Sequence, residues 1–140
     1  MAIFLNNKVG FKIATVNLSD HVTAFTLNRV VDAIEVSAMG DTSHKFVAGL
    51  SADTITVSFL NDTATGSVLQ TLQSAFGSTV AFQAIQDTAS AVSATNPLYS
   101  GTILIDNFTD INGAVADIGM VDLTFTCNSK TAYATTGTWS

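Results

Sequence analysis

The sequence predicts a single, mainly β domain, either a β-sandwich or an open barrel of about seven strands with one flanking α-helix. Three observations support this class. Short segments alternate apolar and polar residues with a period of two, turn-forming residues separate these segments, and one further segment has a helical apolar period. A chain of 140 residues fits one domain and is long enough to bury a core. We therefore expect one domain over residues 1–140.

The first half of the chain is predicted to contribute four strands after a short N-terminal arm at residues 1–8. Three of these strands are expected over residues 9–18, 21–29 and 33–38, the last two joined at residues 30–32. The clearest strand follows in the run ADTITVSFL. There Ile55, Val57 and Phe59 occupy one face and the intervening Thr and Ser residues the other, which is typical of an antiparallel sheet with one covered face.

One α-helix is predicted in the run GSVLQTLQSAFG, residues 66–77. Its apolar stripe is expected to consist of Val68, Leu69, Leu72 and Phe76. Gly77 suits the position after the last helical residue, where a left-handed backbone is favoured. The helix is short, so we expect it to pack against a sheet.

The second half is predicted to hold three more strands and a C-terminal segment. A strand over residues 80–84 leads into a loop that ends at Asn96-Pro97. Two closing strands, residues 101–109 and 118–127, are expected to form a hairpin joined by residues 110–117. Residues 129–140 have no apolar period, so they are expected to be either a disordered tail or an arm on a neighbouring subunit.

Composition argues against tight binding of nucleic acid. Charged residues make up 11% of the chain, against about a quarter in typical domains, and small neutral residues take their place. The net charge is −6, and all of it falls within residues 50–140. Phosphate binding needs clustered Lys or Arg, whereas a neutral, small-polar surface is typical of subunits that tile against each other.

The single Cys127 indicates neither a disulfide nor a reactive site. We expect it to be a small buried residue at a strand end. The N-terminal run MAIFLNNK lacks the features of a signal peptide, and no segment reaches the roughly 18 apolar residues of a membrane span. The sequence therefore predicts a soluble protein made in a cytoplasm.

Several residue groups invite a chemical function but fit a structural one better. Asp41, Ser43 and His44 fall in one turn, whereas the members of a catalytic triad converge from separate elements. His21 and His44, each near an aspartate, lack the spacing of zinc or calcium ligands. We interpret these residues as solvated loop positions.

Other possible sites are equally weak. Gly40 and Gly49 belong to no phosphate-binding motif. Asp106 and Asp122 are expected to be surface carboxylates of a hairpin rather than the paired carboxylates of a glycosidase. The aromatic residues Tyr99, Tyr133 and Trp139 are too scattered in sequence to predict a stacking platform. The sequence therefore predicts no catalytic residue, no cofactor and no metal, and the chain is not expected to be an enzyme.

The segment at residues 40–50 is the predicted functional element. It reads as a turn-rich loop between two half-buried strands, and it carries Lys45, Phe46, Val47 and Leu50. Apolar side chains exposed at the tip of a loop indicate a binding partner.

The order of these features resembles the major tail tube proteins of long-tailed, siphovirus-type bacteriophages. The resemblance extends over about residues 15–127. It rests on the runs TAFTLNRVVDAIEVSAMGD and HKFVAGLSADTITVSF, a helix after a D-x-x-x-G turn, SATNPLYSG before a late strand, and a final strand near DLTFTC.

The resemblance implies a β-sandwich with one flanking helix that assembles as sixfold rings stacked into a hollow tube. Strands of neighbouring subunits would continue one sheet around the ring, and DNA would pass through the lumen without tight binding. It further implies a projecting loop that contacts the next ring, here through Lys45, Phe46, Val47 and Leu50. The candidate residues of an acidic lumen are Asp106, Asp110, Asp117 and Asp122.

The partners implied are further copies of the chain, a tape-measure protein and tail-completion proteins, with no membrane. The implied location is the virion tail, after synthesis in the bacterial host cytoplasm. A virion-surface decoration domain or fibre-type binding module is the alternative from another functional class. The third functional class considered is an enzyme, which would need polar residues that converge in one pocket.

Overall fold

The computed structural model describes residues 8–111 and 113–139. Within these residues the chain forms ten β-strands, the α-helix α1 (Val68–Ala75) and a short 3-10 turn (Ser19–His21). The strands are β1 (Gly10–Ile13), β2 (Val16–Asn17), β3 (Val22–Asn28), β4 (Val31–Glu35), β5 (Phe46–Ser51), β6 (Thr54–Leu60), β7 (Thr79–Ile85), β8 (Leu98–Leu104), β9 (Met120–Thr126) and β10 (Ala132–Ala134).

Eight of these strands form two facing antiparallel sheets. The larger sheet has the order β10-β8-β7-β1-β2 and the smaller one the order β3-β6-β9. The core lies between them, where the ring of Phe11 on β1 lies 4.9 Å from that of Phe25 on β3 and 6.2 Å from that of Phe59 on β6. The predicted class, a mainly β sandwich with one flanking helix, is confirmed.

The clearest predicted strand and the helix are both present. In β6, Ile55, Val57 and Phe59 are fully buried, and Thr56 between them is exposed. In α1, the buried face consists of Val68, Leu72 and Ala75. Leu69 is half-buried.

The predicted helical stripe is wrong at its last member. Phe76 is 52% exposed because its ψ of 126° takes the backbone out of the helix before its side chain can reach the buried face. Gly77 follows with a φ of +82°, as predicted for the residue after a helix end. Its N–H donates a hydrogen bond of 2.7 Å to the carbonyl oxygen of Ile105, which ties the helix end to the sandwich.

The two closing strands do not form the predicted hairpin. β8 pairs with β7 and β10, whereas β9 pairs with β6 in the other sheet. Ile103 and Cys127 form an isolated bridge between these segments. Val121, Leu123 and Phe125 of β9 are buried at alternate positions, and Ile103 of β8 is buried in the same core from the other sheet. The described residues of the segment 105–119 therefore connect one sheet to the other.

Strands β3 to β6 form one long hairpin, of which only the half nearest the sandwich belongs to a larger sheet. Its proximal half, β3 paired with β6, belongs to the three-stranded sheet, and its distal half, β4 paired with β5, forms a separate two-stranded ribbon. The pairing continues across the junction, because Asn28 faces Thr54, Val31 faces Ser51, and the Ala52 N–H donates to the Val30 carbonyl at 2.7 Å.

The C-terminal segment lies on its own chain within the described residues. Strand β10 pairs with β8, and Trp139 lies against Lys12 of β1, whose Nζ is 4.5 Å from the ring centroid. The arm expected over residues 1–8 falls outside the described residues except for its last member, Lys8. No α-helix in the described ranges has the length and apolar character needed to cross a membrane.

Candidate assembly surfaces

The distal ribbon, residues 31–51, projects from the sandwich. All of its residues are exposed except Asp41 and Gly49, which are half-buried. Several of them are large and apolar, including Ile34 at 51%, Phe46 at 58% and Leu50 at 81% exposure. Antiparallel strands commonly bury one face against a core. In this ribbon neither face is buried within the described part of the chain.

The four residues predicted for a loop lie mainly on a strand. Phe46, Val47 and Leu50 belong to β5, and Lys45 immediately precedes it. The preceding strand β4 was expected to be half-buried and is exposed along its whole length. Both expectations were wrong because the two strands pair with each other and extend beyond the sandwich, a long-range arrangement that local turn signals do not report.

The ribbon presents apolar groups on both of its faces. Val47 lies opposite Ile34 on one face. Phe46 lies opposite Glu35 on the other, and it shares that face with the facing pair Ala33 and Ala48 because alternate strand residues point the same way. A two-sided apolar ribbon needs cover on both sides.

The tip of the ribbon is ordered by its own polar contacts. Lys45 Nζ lies 2.9 Å from Asp41 Oδ1, and the Ala38 N–H donates to Asp41 Oδ2 at 2.7 Å. The hydrogen bond from Ala38 and the contact with Lys45 lower the pKa of the Asp41 carboxyl. His44 Nδ1 lies 2.6 Å from Glu35 Oε2 across the strand pair. Lys45, expected to contact an acidic neighbour, is thus already paired within its own chain.

A buried carboxylate fixes the base of the ribbon. Asp53 is 3% exposed and accepts N–H donors from Val30 at 3.0 Å and Thr131 at 2.9 Å. Its own carbonyl accepts the Cys127 N–H at 3.0 Å. Burial raises the pKa of Asp53, but the hydrogen bonds from Thr131 and Val30, together with the nearby Arg29, lower it further than burial raises it. The sequence did not single out Asp53, since its partners come from distant segments.

The three-stranded sheet has a small-polar outer face opposite the core. Two cross-strand rows of this face are Thr26–Thr56–Thr124 and Asn28–Thr54–Thr126. A third row places Ala24 beside Ser58 and Ser58 beside Asp122. These three rows contain neither Lys nor Arg.

The four candidate lumen carboxylates are all exposed but occupy different elements. Asp122 lies on β9 within the small-polar face. Asp106, Asp110 and Asp117 lie on the connection formed by residues 105–119. Asn107, next to Asp106 in the chain, caps the outer edge of β9: its Nδ2 donates to the Thr124 carbonyl at 2.8 Å.

The residues considered for chemistry are engaged in structural contacts. Asp41 and His44 pair with different partners on the ribbon, so the Asp41, Ser43 and His44 group does not converge. His21 Nε2 lies 2.8 Å from Asp62 Oδ2, and Asp62 also accepts the Ser67 hydroxyl at 2.9 Å at the start of α1. Across residues 8–111 and 113–139, no cluster of three or more His, Cys, Asp or Glu side chains suits a metal ion.

Two of the aromatic residues judged scattered in sequence lie together. Pairing of β10 with β8 places Tyr133 opposite Tyr99, with ring centroids 5.6 Å apart and edge-to-face geometry. The Arg29 guanidinium lies 5.4 Å and 5.6 Å from the two rings. Trp139 packs elsewhere, over Lys12. The expectation that these aromatic residues lie apart was wrong for Tyr99 and Tyr133, because it rested on their separation in sequence alone.

A cleft of about 1040 Å³ runs along β3. Its walls include residues 22–27 on one side, and Val9, Ile85 and Tyr99 from the larger sheet and its flanks on the other. Arg29 and Lys130 also line it. The sandwich is therefore open on the side of β3.

The sequence matches no protein-family model and no curated protein. Solved structures are nevertheless similar in fold. A chain from the virion of a native gene transfer agent particle aligns with a TM-score of 0.75 and 11% identity, covering 94% of this chain and 99% of the other.

Two further structures are similar. The SPP1 tail tube, a hybrid solid-state NMR and cryo-EM structure, aligns with a TM-score of 0.75 and 10% identity over 94% of this chain and 79% of the other. The tail of an empty gene transfer agent particle, with C6 symmetry, aligns with a TM-score of 0.61 and 14% identity over 81% and 82%. These likenesses show that the chain has a tail-tube-like fold.

Proposed function

We propose that this chain is the single-domain structural subunit of a phage-type tail tube. Hexameric rings of it stack into a hollow conduit for DNA ejection, and the subunit is not an enzyme. The observation that carries this proposal is the distal ribbon, whose two apolar faces have no cover within the described part of the chain. The fold likeness to tail structures, one of them with C6 symmetry, supports it.

Burial of the ribbon is the driving force for stacking. Removing apolar surface from water stabilises an assembly by about 25 cal/mol per Å², and each ring junction repeats the contact around the symmetry axis. Phe46, Val47 and Leu50 supply the apolar contact to the next ring. Lys45, held by Asp41, keeps the ribbon tip in shape and so reduces the ordering cost of assembly.

The open side of the sandwich also favours a polymer. An unpaired strand edge is a template for association, and proteins that stay monomeric cover or disrupt such edges. Here β3 borders a cleft, so a strand from another copy completes the sheet.

The small-polar face of the three-stranded sheet is proposed to line the conduit. Its rows of Thr, Ser and Asn offer no cation to a phosphate backbone, and tight DNA binding needs several. Asp122 lies on this face, and the exposed Asp106, Asp110 and Asp117 on the connection that precedes β9 are proposed to add negative charge to the lumen. DNA would therefore pass without being retained.

The remaining partners follow from this role. A tape-measure protein would occupy the lumen before DNA does, and tail-completion proteins would close the ends of the tube. The subunit would be made in the bacterial host cytoplasm and reside in the virion tail.

Replacing both Phe46 and Val47 with Asp tests the proposal. The wild-type chain is expected to form tubes visible by negative-stain electron microscopy and to sediment as large species, whereas the variant should remain as single rings or smaller species. A matched control places two aspartates in the exposed loop at Ala91 and Ala94, and it should leave assembly unchanged. A wild-type chain that stays monomeric at high concentration, even with a tape-measure or initiator partner present, would contradict the proposal.

A further inference from the structure

We propose that the cleft along β3 is the receptor for the distal ribbon of a second copy, which adds β5 to the edge of the three-stranded sheet. This inference rests on the proposed function and names the surface that receives the ribbon. The contact is heterologous, because a projecting element of one copy enters a recess of another, and such contacts propagate into rings or filaments.

The cleft meets β3 along its edge rather than on one face. Every residue from Val22 to Leu27 lines it, although neighbouring strand residues point to opposite faces. Within the described residues, β3 pairs with β6 on its other side and with no second strand. Its outer row of main-chain groups is therefore available to an added strand.

The opposite edge of the same sheet is closed to such growth. On β9, the Thr124 carbonyl is taken by the Asn107 side chain. Just beyond the end of β9, Cys127 bridges Ile103 of β8, and the Asn128 N–H donates to the Thr102 carbonyl at 2.9 Å. An edge that is capped in this way resists strand addition. The sheet can therefore extend along β3 and not along β9.

The strand that fits the β3 edge is β5. Among the described strands, β2 has two residues and β10 has three, too few to match the seven residues of β3. β4 has five residues and β5 has six, so β5 is the closer match to β3: the two strands span about 20 Å and 23 Å at roughly 3.3 Å per residue. β5 pairs with β4 on one side, which leaves its other edge free.

The ribbon cannot fill the cleft of its own chain. Its first and last residues, Val31 and Ser51, already line that cleft, and pairing continues from β3–β6 into the ribbon without a reversal. Asp53 fixes this junction through Val30. The occupant is therefore the ribbon of a second copy.

The chemistry of the two surfaces is complementary. Phe25 and Leu27 in the cleft are half-buried apolar residues that β5 can cover with Phe46 or Val47 and Leu50. The cleft is lined by two cations, Arg29 and Lys130, against one carboxylate, the buried Asp53. The ribbon carries three carboxylates, Asp32, Glu35 and Asp41, against one lysine, so charge also favours the pairing.

Cross-linking between two single-cysteine proteins tests the contact. Both carry Cys127→Ala; one has Ala48→Cys on β5, and the other has Thr26→Cys on β3 with a size tag. Thr124→Cys on β9 is the matched control, because Thr26 and Thr124 flank Thr56 from opposite edges of one row. The proteins are mixed, assembled and treated with a short bis-maleimide, and melting temperatures confirm that each variant is folded.

We expect the Ala48→Cys protein to link to the Thr26→Cys protein and not to the Thr124→Cys protein. Lys130→Glu should raise the concentration needed for assembly several-fold, while Lys8→Glu, a matched change outside the cleft lining, should not. Tubes that form without the Ala48–Thr26 link, or with an Ala48–Thr124 link, would overturn the inference and leave the proposed function standing. Absence of any polymer from the wild-type chain would overturn both.

Discussion

Asp53 and Thr131 lie 78 positions apart in the chain, and the Thr131 N–H donates a hydrogen bond of 2.9 Å to Asp53 Oδ2. The other carboxylate oxygen accepts the N–H of Val30. One buried side chain thereby joins the base of the distal ribbon to the segment that leads into β10.

Replacing Asp53 with Asn should lower the free energy of unfolding by about 1–3 kcal/mol. The amide nitrogen would face one of the two N–H donors, which would leave a buried donor without an acceptor. Urea denaturation measures the change. Asp106→Asn, at an exposed carboxylate, serves as the control and should shift stability by less than about 0.5 kcal/mol. Equal stability of the two variants would contradict the role assigned to Asp53.

Acid should destabilise the fold through Asp62. Hydrogen bonds from the Ala64 N–H, the Ser67 hydroxyl and His21 lower the pKa of Asp62 from its ordinary 3.8. Because the folded pKa is the lower one, this stabilisation is present above the unfolded pKa and is lost as pH falls through the folded pKa. Denaturation midpoints measured below about pH 4 should fall less steeply for Asp62→Asn than for wild type, and Asp110→Asn should follow wild type.

The turn between β1 and β2 should tolerate and even favour Asn-Gly. Ala14 and Thr15 both have positive φ, at 51° and 72°, a conformation that two-residue hairpins fill best with Asn-Gly. The double change Ala14→Asn and Thr15→Gly should raise the free energy of unfolding by about 1 kcal/mol. Thr126→Gly, inside β9, should instead lower it by about 0.5–1 kcal/mol. A destabilised turn variant would show that the side chains at this turn matter more than its backbone.

Gly10 should not tolerate a side chain. A Cβ there would lie 2.6 Å from the Trp139 ring and also contact Thr88, so Gly10→Ala should cost about 1–3 kcal/mol through overpacking. Trp139 is the single tryptophan of the chain, and its fluorescence should shift towards the solvent-exposed value. Gly113→Ala, where the new Cβ would meet no atom within 4 Å, should change neither quantity.

Positive charge on the small-polar face should make assembled tubes retain DNA. Thr56→Arg together with Thr124→Arg would add two cations per subunit to one row of this face, and phosphate contacts of this kind strengthen binding in a salt-dependent way. Co-sedimentation of DNA with tubes, measured at two salt concentrations, tests this. Arginines placed at Ala91 and Ala94 are the control. If only the control retains DNA, the lumen lies on another face.

Sequence patterns predicted the elements whose structure depends on near neighbours. The alternation of Ile55, Val57 and Phe59 with Thr and Ser was enough to place β6 and its buried face. The spacing of Val68 and Leu72 was enough for α1. These signals are local because each period describes one element packed on one surface.

The candidate site was predicted only in part. The apolar residues Phe46, Val47 and Leu50 drew attention to a segment whose apolar side chains are exposed in the structure, but their placement in a loop was wrong. Their strand exists because it pairs with β4, and nothing within the segment itself reports that partner. The pairing of Tyr99 with Tyr133 was missed for the same reason.

By itself, then, the sequence determined the mainly β class, the buried face of β6, the helix and the segment that exposes apolar surface. Only the tertiary structure decided that β8 and β9 belong to facing sheets, that the hairpin from Val22 to Leu60 extends beyond the sandwich, and that Asp53 holds its base. The physical reason is the distance in sequence between the residues that make each contact. Periodicity arises from contacts between residues a few positions apart, whereas strand partners and buried polar contacts join segments tens of positions apart, whose pairing depends on the packing of the whole core.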